Sequence, residues 1–406
     1  MKVVIMAGGK GTRIASLNAD VPKPMIKICG KPILQWQIEC LAKQGYTDIT
    51  IVVGFKGDII KDFFGDGTAF GVQIGYITET EPLGTAGALY YLRDSTTSDF
   101  LLLNGDIIFD IDIERFDRQH REACSLGAVA TIFTHPNDHP YDSGIIIADE
   151  HGCVTNWLHK EDPRLWYKNR VNAGLHMISP EVFDRFRELK KVDLDRDILK
   201  PMITDKQLYV YDSPEYVKDM GTPERYHQVE RDIESGKVEA KNLKHKQRAV
   251  FFDRDGTLNK YVGFLRSVDE LELLPGAAEM VKKANEAGYL AILVTNQPVI
   301  ARGEVTWNEL NEIHDKLETL LGQQGAYLDG IFVCPHHPDK GFAGERVEYK
   351  IDCDCRKPKP GLLVKAAEKY NIDLSESYMV GDTDSDMKAG EAAGCAHLIN
   401  ISEGRE

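Results

Sequence analysis

The chain has 406 residues, 42% of them hydrophobic and 28% charged, and a formal net charge of −15. That length suits two or three domains with sizeable cores. The acidic balance excludes extended contact with nucleic acid or an anionic membrane surface, and no apolar run nears the ~20 residues of a spanning helix. Small phosphorylated molecules remain as partners, because Arg and Lys within a site outweigh the global charge. Met1-Lys2 leads directly into a short strand with no signal-peptide core, so a cytoplasmic protein is expected. Homo-oligomerisation is left open. Cys29, Cys40, Cys124, Cys153 and Cys395 are scattered and read as reduced thiols. Cys334, Cys353 and Cys355 cluster and point to a metal before a disulfide.

Lys2 to Ala7 predicts a strand that opens a Gly-rich loop, Gly8-Gly9-Lys10-Gly11-Thr12-Arg13. Glycines let a backbone approach a phosphate and aim N–H groups at it. The loop lacks the ending of a Walker loop and the third Gly of a dinucleotide fingerprint, and alone it is equally a turn. Lys23 stands between Pro22 and Pro24 with little freedom, and with Arg13 it supplies two cations for a triphosphate. Apolar spacing predicts a helix over Ile33–Lys43, ended by Gly45, and a strand over Ile49–Gly54. This alternation argues for a doubly wound α/β sheet.

Glu81 to Gly87 is expected to start a helix whose small residues admit a flat base. The apolar strand Phe100–Leu103 delivers Asp106, either a Mg²⁺ ligand or a capping residue. Gly144 and Asn172 suit a sugar pocket or a turn. Tyr216 to Glu224 ends a strand and starts a helix, with Thr222 as N-cap and Pro223 first. Asp219 stands where a second metal ligand is needed.

The ordered set G-G-x-G-T-R, P-K-P-M, E-P-L-G-T-A-G, N-G-D and D-x-G-T-P, over about residues 1–233, resembles the sugar-phosphate nucleotidyltransferases of the mannose-1-phosphate guanylyltransferase type. The resemblance implies that Gly8, Gly9, Gly11 and Arg13 hold nucleotide phosphates and Lys23 steadies the α-phosphate. Gly84 and Thr85 would flank the base, and Asp106 and Asp219 would hold Mg²⁺. Catalysis would then be in-line attack of a sugar 1-phosphate on the α-phosphorus, served by charge and alignment. Where the family often has Glu-Lys-Pro, this chain has His159-Lys160-Glu161, with Lys160 left to meet the sugar phosphate.

The polar, charge-rich run Glu234–Arg248 reads as a helix end and a linker. Domains are expected over 1–235 and 248–406, joined by 236–247. The apolar run Val250–Phe252 is a strand ending in Asp253-Arg254-Asp255-Gly256-Thr257. Two carboxylates so close need a cation or a shared proton, and Mg²⁺ fits. A helix over Ala277–Ala287 precedes the strand Leu290–Val294, which delivers Thr295, a neutral donor for a phosphoryl oxygen, and Asn296. Arg302 follows. Thr306 and Glu309 form a capping box before an amphipathic helix.

The C-x-H…C-x-C set Cys334, His336, Cys353 and Cys355 supplies four ligands for closed, structural Zn²⁺, with His337 the rival of His336. Arg356 and Lys357 follow the last Cys directly. Val380-Gly381-Asp382 is a strand end with acids, of which Asp382 is favoured as a Mg²⁺ ligand.

D-x-D-G-T, V-T-N-Q, C-R-K-P and G-D-x-x-x-D over residues 249–400 resemble the four motifs of haloacid dehalogenase-like phosphatases. The cysteine loop narrows this to the branch of D-glycero-D-manno-heptose 1,7-bisphosphate phosphatase and histidinol phosphatase. The resemblance implies Asp253 as nucleophile and Asp255 as acid and base, with Thr295 and Lys357 on the phosphoryl oxygens. Mg²⁺ would lie between Asp253, the Asp255 carbonyl and Asp382. Only 37 residues separate Thr257 from Thr295, too few for a cap domain there. Loops around Asn296, Arg302 and Arg356 would set specificity. The two resemblances together imply a bifunctional enzyme: a heptose 1,7-bisphosphate loses its 7-phosphate, and the 1-phosphate joins GMP from GTP. The alternative is a mannose-1-phosphate guanylyltransferase fused to another phosphatase.

Overall fold

The computed structural model describes residues 1–9, 21–341 and 343–402. Gly11 and Arg13 lie outside the described residues. The chain forms two compact units. The first comprises Met1–Thr134, Ile146–Trp157 and Asn172–Asn242; the second comprises His135–Ile145, Leu158–Val171 and Leu243–Glu406.

The elements of the first half are β1 (Lys2–Met6), α1 (Ile33–Lys43), β2 (Asp48–Val53), α2 (Gly57–Phe64), β3 (Gln73–Thr78), β4 (Phe100–Asn104), β5 (Ile107–Asp110), α3 (Ile113–Cys124), β6 (Ala130–His135), β7 (Ile145–Ala148), β8 (Val154–Leu158), β9 (Val171–Ile178), β10 (Leu208–Asp212), β11 (Tyr216–Asp219) and α4 (Pro223–Glu234). Among the described residues a nine-stranded sheet runs β8-β7-β9-β4-β1-β2-β3, with β6 beside β9 and β10 beside β6. β1, β2, β3 and β4 are parallel, and β9 runs against β4. Both faces are buried, so the central strands are continuously apolar. On β1, Val3 and Ile5 enter one core and Val4 the other; on β4, Leu101 and Leu103 part from Phe100 and Leu102 in the same way.

The second unit has β12 (Ala249–Phe252), α5 (Ala277–Glu286), β13 (Leu290–Asn296), α6 (Trp307–Gly322), β14 (Gly330–Cys334), α7 (Gly361–Tyr370), β15 (Tyr378–Gly381), α8 (Asp384–Ala393) and β16 (His397–Asn400). Its sheet is wholly parallel in the order β14-β13-β12-β15-β16. The order reverses at β12, and ligands of such sheets bind beyond the strand ends at that reversal. Phe252 and Phe251 alternate between the two flanking cores. Each contributes about 1.5–3 kcal/mol by burial.

The expected helix after Gly84 is a 3₁₀ turn, Gly87–Leu92. Its entry is held by pairing of Gly84 with Val192, a long-range partner that local spacing does not reveal. The stretch expected as a solvated connector is largely held down. It contains a short helix, Lys237–Ala240; Lys43 Nζ donates to Glu239 at 2.7 Å and Asn242 donates to Asp110 at 2.6 Å. Leu243 is buried in the second unit, where Asn371 Nδ2 donates to the carbonyls of Leu243 and His245.

The segments His135–Ile145 and Leu158–Val171 precede the second unit in sequence yet cluster with it. Tyr167 N donates to Thr319 Oγ1 of α6 at 2.9 Å, and the buried Arg170 donates to Glu318 at 3.1 Å and to the Leu328 and Asp329 carbonyls. Gly322 ends α6 where a Cβ would lie 2.7 Å from Pro140. Among the described residues no helix is long and apolar enough to cross a membrane.

Candidate active sites

In the first unit β4 ends at Asn104 and turns through Gly105, whose N–H donates to the Met6 carbonyl at 2.9 Å. A Cβ on Gly105 would lie 2.8 Å from that oxygen, so the turn needs glycine. The turn sets Asp106 against Lys23, whose Nζ donates to Oδ2 at 2.5 Å. β11 pairs with β5 so that Asp219 faces Ile107, and Met220 N donates to the Asp106 carbonyl. The two carboxylates therefore leave adjoining strands at neighbouring positions. Arg225 donates to both oxygens of Asp219, at 2.9 and 2.8 Å. Burial pushes Asp219 up, but Arg225 and then Lys23 hold it below its usual range. Thr222 caps α4 by accepting from Arg225 N, which fixes this arginine's backbone. Two carboxylates flanked by two cations suit a hard divalent ion and a phosphate chain.

Other expected residues of this unit take varied places. Gly8 packs against Gly54 and Glu79, while Gly9 is exposed with open space where a Cβ would point. Gly84 has φ +81°, and a Cβ there would collide with the Val192 carbonyl. Thr85 Oγ1 accepts from Leu194 N at 2.7 Å. Asn172 accepts from Gly174 N at 3.0 Å, and Gly174 lies against Asn104. Gly144 and the exposed Lys160 fall in the segments grouped with the second unit.

In the second unit Asp253 follows β12, Thr295 lies near the end of β13 and Asp382 follows β15, which brings all three to one edge of the sheet. Lys357 is buried and donates at 2.6 Å to both Asp253 Oδ1 and Asp386 Oδ1. Asp386 also closes a capping box with Thr383 at the start of α8. Burial pushes Asp253 up to about 6 against the pull of Lys357. Oxygens of Asp253, Asp382 and Asp386 lie within 4.8 Å of one another. Three clustered carboxylates, two of them on Lys357, leave a surplus of negative charge that fits a divalent cation. Gly256, at φ +84°, leaves space that a Cβ would take from the Asp382 carboxylate.

Asp255 lines the same cavity as Asp253 but is held by a different set of donors. Its carboxylate accepts from Arg254, from Asn259 at 3.0 Å and from Gln297 at 2.8 Å. Burial alone raises it, but Arg254 and these donors hold it below the usual carboxylate range. Arg254 is fully buried and is itself held by Gln297 Oε1 at 3.0 Å, and it lies 3.3 Å from His314. Asn296 spans the backbone of Lys357, donating to its carbonyl and accepting from its N–H. Asp253, Asp255, Thr295, Asn296, Arg356 and Lys357 line one cavity, walled by Tyr261 and Phe264. Arg302 stacks on Phe264 at 4.1 Å, and Arg356 donates to the His336 carbonyl at 3.0 Å.

Cys334, His336, Cys353 and Cys355 converge at the end of β14. Their sulfur and Nδ1 atoms are separated by 3.8 Å (Cys334–His336), 3.6 Å (Cys334–Cys353), 3.3 Å (His336–Cys355) and 3.2 Å (Cys353–Cys355). Tetrahedral Zn²⁺ with N/S ligands has edges of about 3.3–3.8 Å; three of these separations fall in that range and Cys353–Cys355 is shorter, so the donor set suits that ion once this pair opens slightly. His337 turns away and accepts from Asp339 N.

A family model described as nucleotidyl transferase matches residues 2–236, and one described as haloacid dehalogenase-like hydrolase matches residues 208–394. The chain is 41% identical over 160 residues to the D-glycero-beta-D-manno-heptose-1,7-bisphosphate 7-phosphatase of Pasteurella multocida (strain Pm70), covering 39% of this chain and 84% of that protein. The chain belongs to both families. It is also 30% identical over 229 residues to the mannose-1-phosphate guanylyltransferase catalytic subunit beta of Drosophila melanogaster, covering 55% of this chain and 60% of that protein. This chain therefore spans about 60% of that guanylyltransferase's length. A crystal structure of HddC from Yersinia pseudotuberculosis aligns at 28% identity over 57% of this chain and 99% of that one, with a TM-score of 0.49.

The nucleotidyl transferase unit and the hydrolase unit each carry residues that the sequence motifs did not single out. In the transferase, Arg225 is the partner of Asp219, and its place on the first turn of α4 was the only signal. In the hydrolase, Asp386, Gln297, Arg254 and Asn259 complete the site. Asp386 and Gln297 stand inside motifs already recognised, so spacing held the signal. The inward turn of Arg254 is set by tertiary contacts alone.

Proposed function

We propose that the chain is a bifunctional enzyme of nucleotide-activated heptose synthesis, acting in the cytoplasm. The hydrolase unit removes the 7-phosphate of D-glycero-α-D-manno-heptose 1,7-bisphosphate. The transferase unit joins the heptose 1-phosphate to GMP from GTP, releasing pyrophosphate. The supporting observation is that a heptose 7-phosphatase-like unit and a guanylyltransferase-like unit share one chain, because the product of the first chemistry is the substrate class of the second.

In the hydrolase, Asp253 attacks phosphorus and the bond to the sugar oxygen breaks. Lys357 and Thr295 offset charge on the phosphoryl oxygens. Asp255 protonates the leaving oxygen, then takes a proton from the water that cleaves the aspartyl-phosphate. Arg254, Asn259 and Gln297 favour its basic form at rest; an arriving phosphate dianion raises its proton affinity for the first step. Mg²⁺ held by Asp253, Asp382 and Asp386, with the Asp255 carbonyl, would neutralise phosphate charge. Zn²⁺ on Cys334, His336, Cys353 and Cys355 would brace the loop that carries Arg356 and Lys357. In the transferase, Lys23, with Arg13, Gly8, Gly9 and Gly11, grips the triphosphate, and Asp106 and Asp219 would hold Mg²⁺. Gly84 and Thr85 flank guanine, and Asn172 faces the sugar.

The test separates the units. Asp253→Asn is expected to abolish phosphate release from the bisphosphate while pyrophosphate still forms from GTP and heptose 1-phosphate; Asp106→Ala is expected to do the reverse. Loss of both activities in either variant, or of neither, contradicts the assignment. Running both anomers, and mannose 1-phosphate as rival acceptor, fixes the sugar. A strong preference for mannose 1-phosphate would favour the alternative fusion.

A further inference from the structure

We propose a second transition-metal site in the transferase unit, made by Asp99, His120 and Cys124 with Ser179 as fourth donor, for Zn²⁺ or a similar late first-row divalent ion. His120 and Cys124 lie four residues apart on α3 and share a face. His120 Nε2 lies 3.5 Å from Cys124 Sγ, 3.8 Å from Asp99 Oδ2 and 3.2 Å from Ser179 Oγ, and Ser179 Oγ lies 3.5 Å from Cys124 Sγ. These separations resemble the edges, about 3.3–3.8 Å, of a small tetrahedron of N, S and O ligands. Asp99, His120 and Cys124 each present one donor atom within 4.8 Å of the others.

A second feature belongs to ligand histidines. His120 Nδ1 meets the buried Thr131 Oγ1 at 2.8 Å, which fixes the ring and leaves Nε2 toward the cluster. The imidazole is fully buried, while Asp99 and Cys124 are partly exposed, so an ion has a path in. A thiol, an imidazole and one carboxylate form a softer set than the carboxylate clusters of the catalytic ends, so the site selects against Mg²⁺. It is remote from the transferase carboxylates: Asp99 precedes β4 and Asp106 follows it, with a five-residue strand between, about 17 Å. The site is therefore structural, pinning α3 to the start of β4 and the end of β9.

The test uses the full chain, demetallated and titrated with Zn²⁺ under equilibrium dialysis, then with Co²⁺ followed by absorption. Wild type is expected to bind one more equivalent than Cys124→Ser and than Asp99→Asn, and to show an added single-thiolate sulfur-to-cobalt band. Thr131→Val is expected to keep the stoichiometry and lose about 10- to 100-fold in affinity. The cysteine loop at 334–355 contributes equally to every chain, so its behaviour leaves the difference unchanged. Equal stoichiometry and spectra in wild type, Cys124→Ser and Asp99→Asn, all with normal pyrophosphate release as proof of folding, would overturn the proposal.

Discussion

Lys357 Nζ sits at 2.6 Å from both Asp253 and Asp386, in a place where water does not share the load. Removing a donor aimed at developing charge costs about 10²–10³ in rate, and leaving buried carboxylates without their partner costs about 3–5 kcal/mol. Lys357→Met is therefore expected to lower phosphate release by about that factor and to destabilise the hydrolase unit, with pyrophosphate release from the transferase unchanged. Steady-state phosphate assays decide it, and near-normal phosphate release would contradict the placement. The sequence singled this residue out through the C-R-K-P motif, in which it stands two positions after Cys355. Asp386 was harder to single out. Several acids follow Gly381, and only the turn into α8 shows which of them folds back as cap and as partner to Lys357. Asn296 and Thr85 have hydrogen-bonded duties to backbone that no spacing rule exposes.

At the scale of elements, strands and caps follow from local chemistry. The helix over Ile33–Lys43 and the capping box at Thr306 and Glu309 form as expected, since apolar period and cap are local properties. The 3₁₀ turn after Gly84 and the held-down stretch near Leu243 depend on remote partners. β9 adds a further case. His176 lies opposite Leu102, buried in the apolar sheet, and burial lowers it from its ordinary value near 6.5 to about 4. The unfolded chain takes this proton first as pH falls. The stability that His176 supports is therefore full above pH 6.5 and is lost towards pH 4, at up to about 1.4 kcal/mol per pH unit. Urea unfolding from pH 7 to 5 is expected to show a shallower acid slope in His176→Leu than in wild type. Parallel slopes would contradict the assignment.

For the whole molecule, the two-enzyme organisation was legible because each half carries several motifs in order. The composition of the hydrolase unit was not. Residues His135–Ile145 and Leu158–Val171 join it from within the first half, tied by Arg170 to Glu318 and by Tyr167 to Thr319. Those contacts are made by residues more than a hundred positions apart, and no local pattern announces them. The central claim is that one chain performs consecutive chemistry on one sugar. The measurement is a ³¹P NMR time course of the full chain with Mg²⁺, GTP and D-glycero-α-D-manno-heptose 1,7-bisphosphate. The account predicts inorganic phosphate and heptose 1-phosphate first, then pyrophosphate with a sugar nucleoside diphosphate. Pyrophosphate appearing before any phosphate, or no phosphate from the bisphosphate at all, would contradict it.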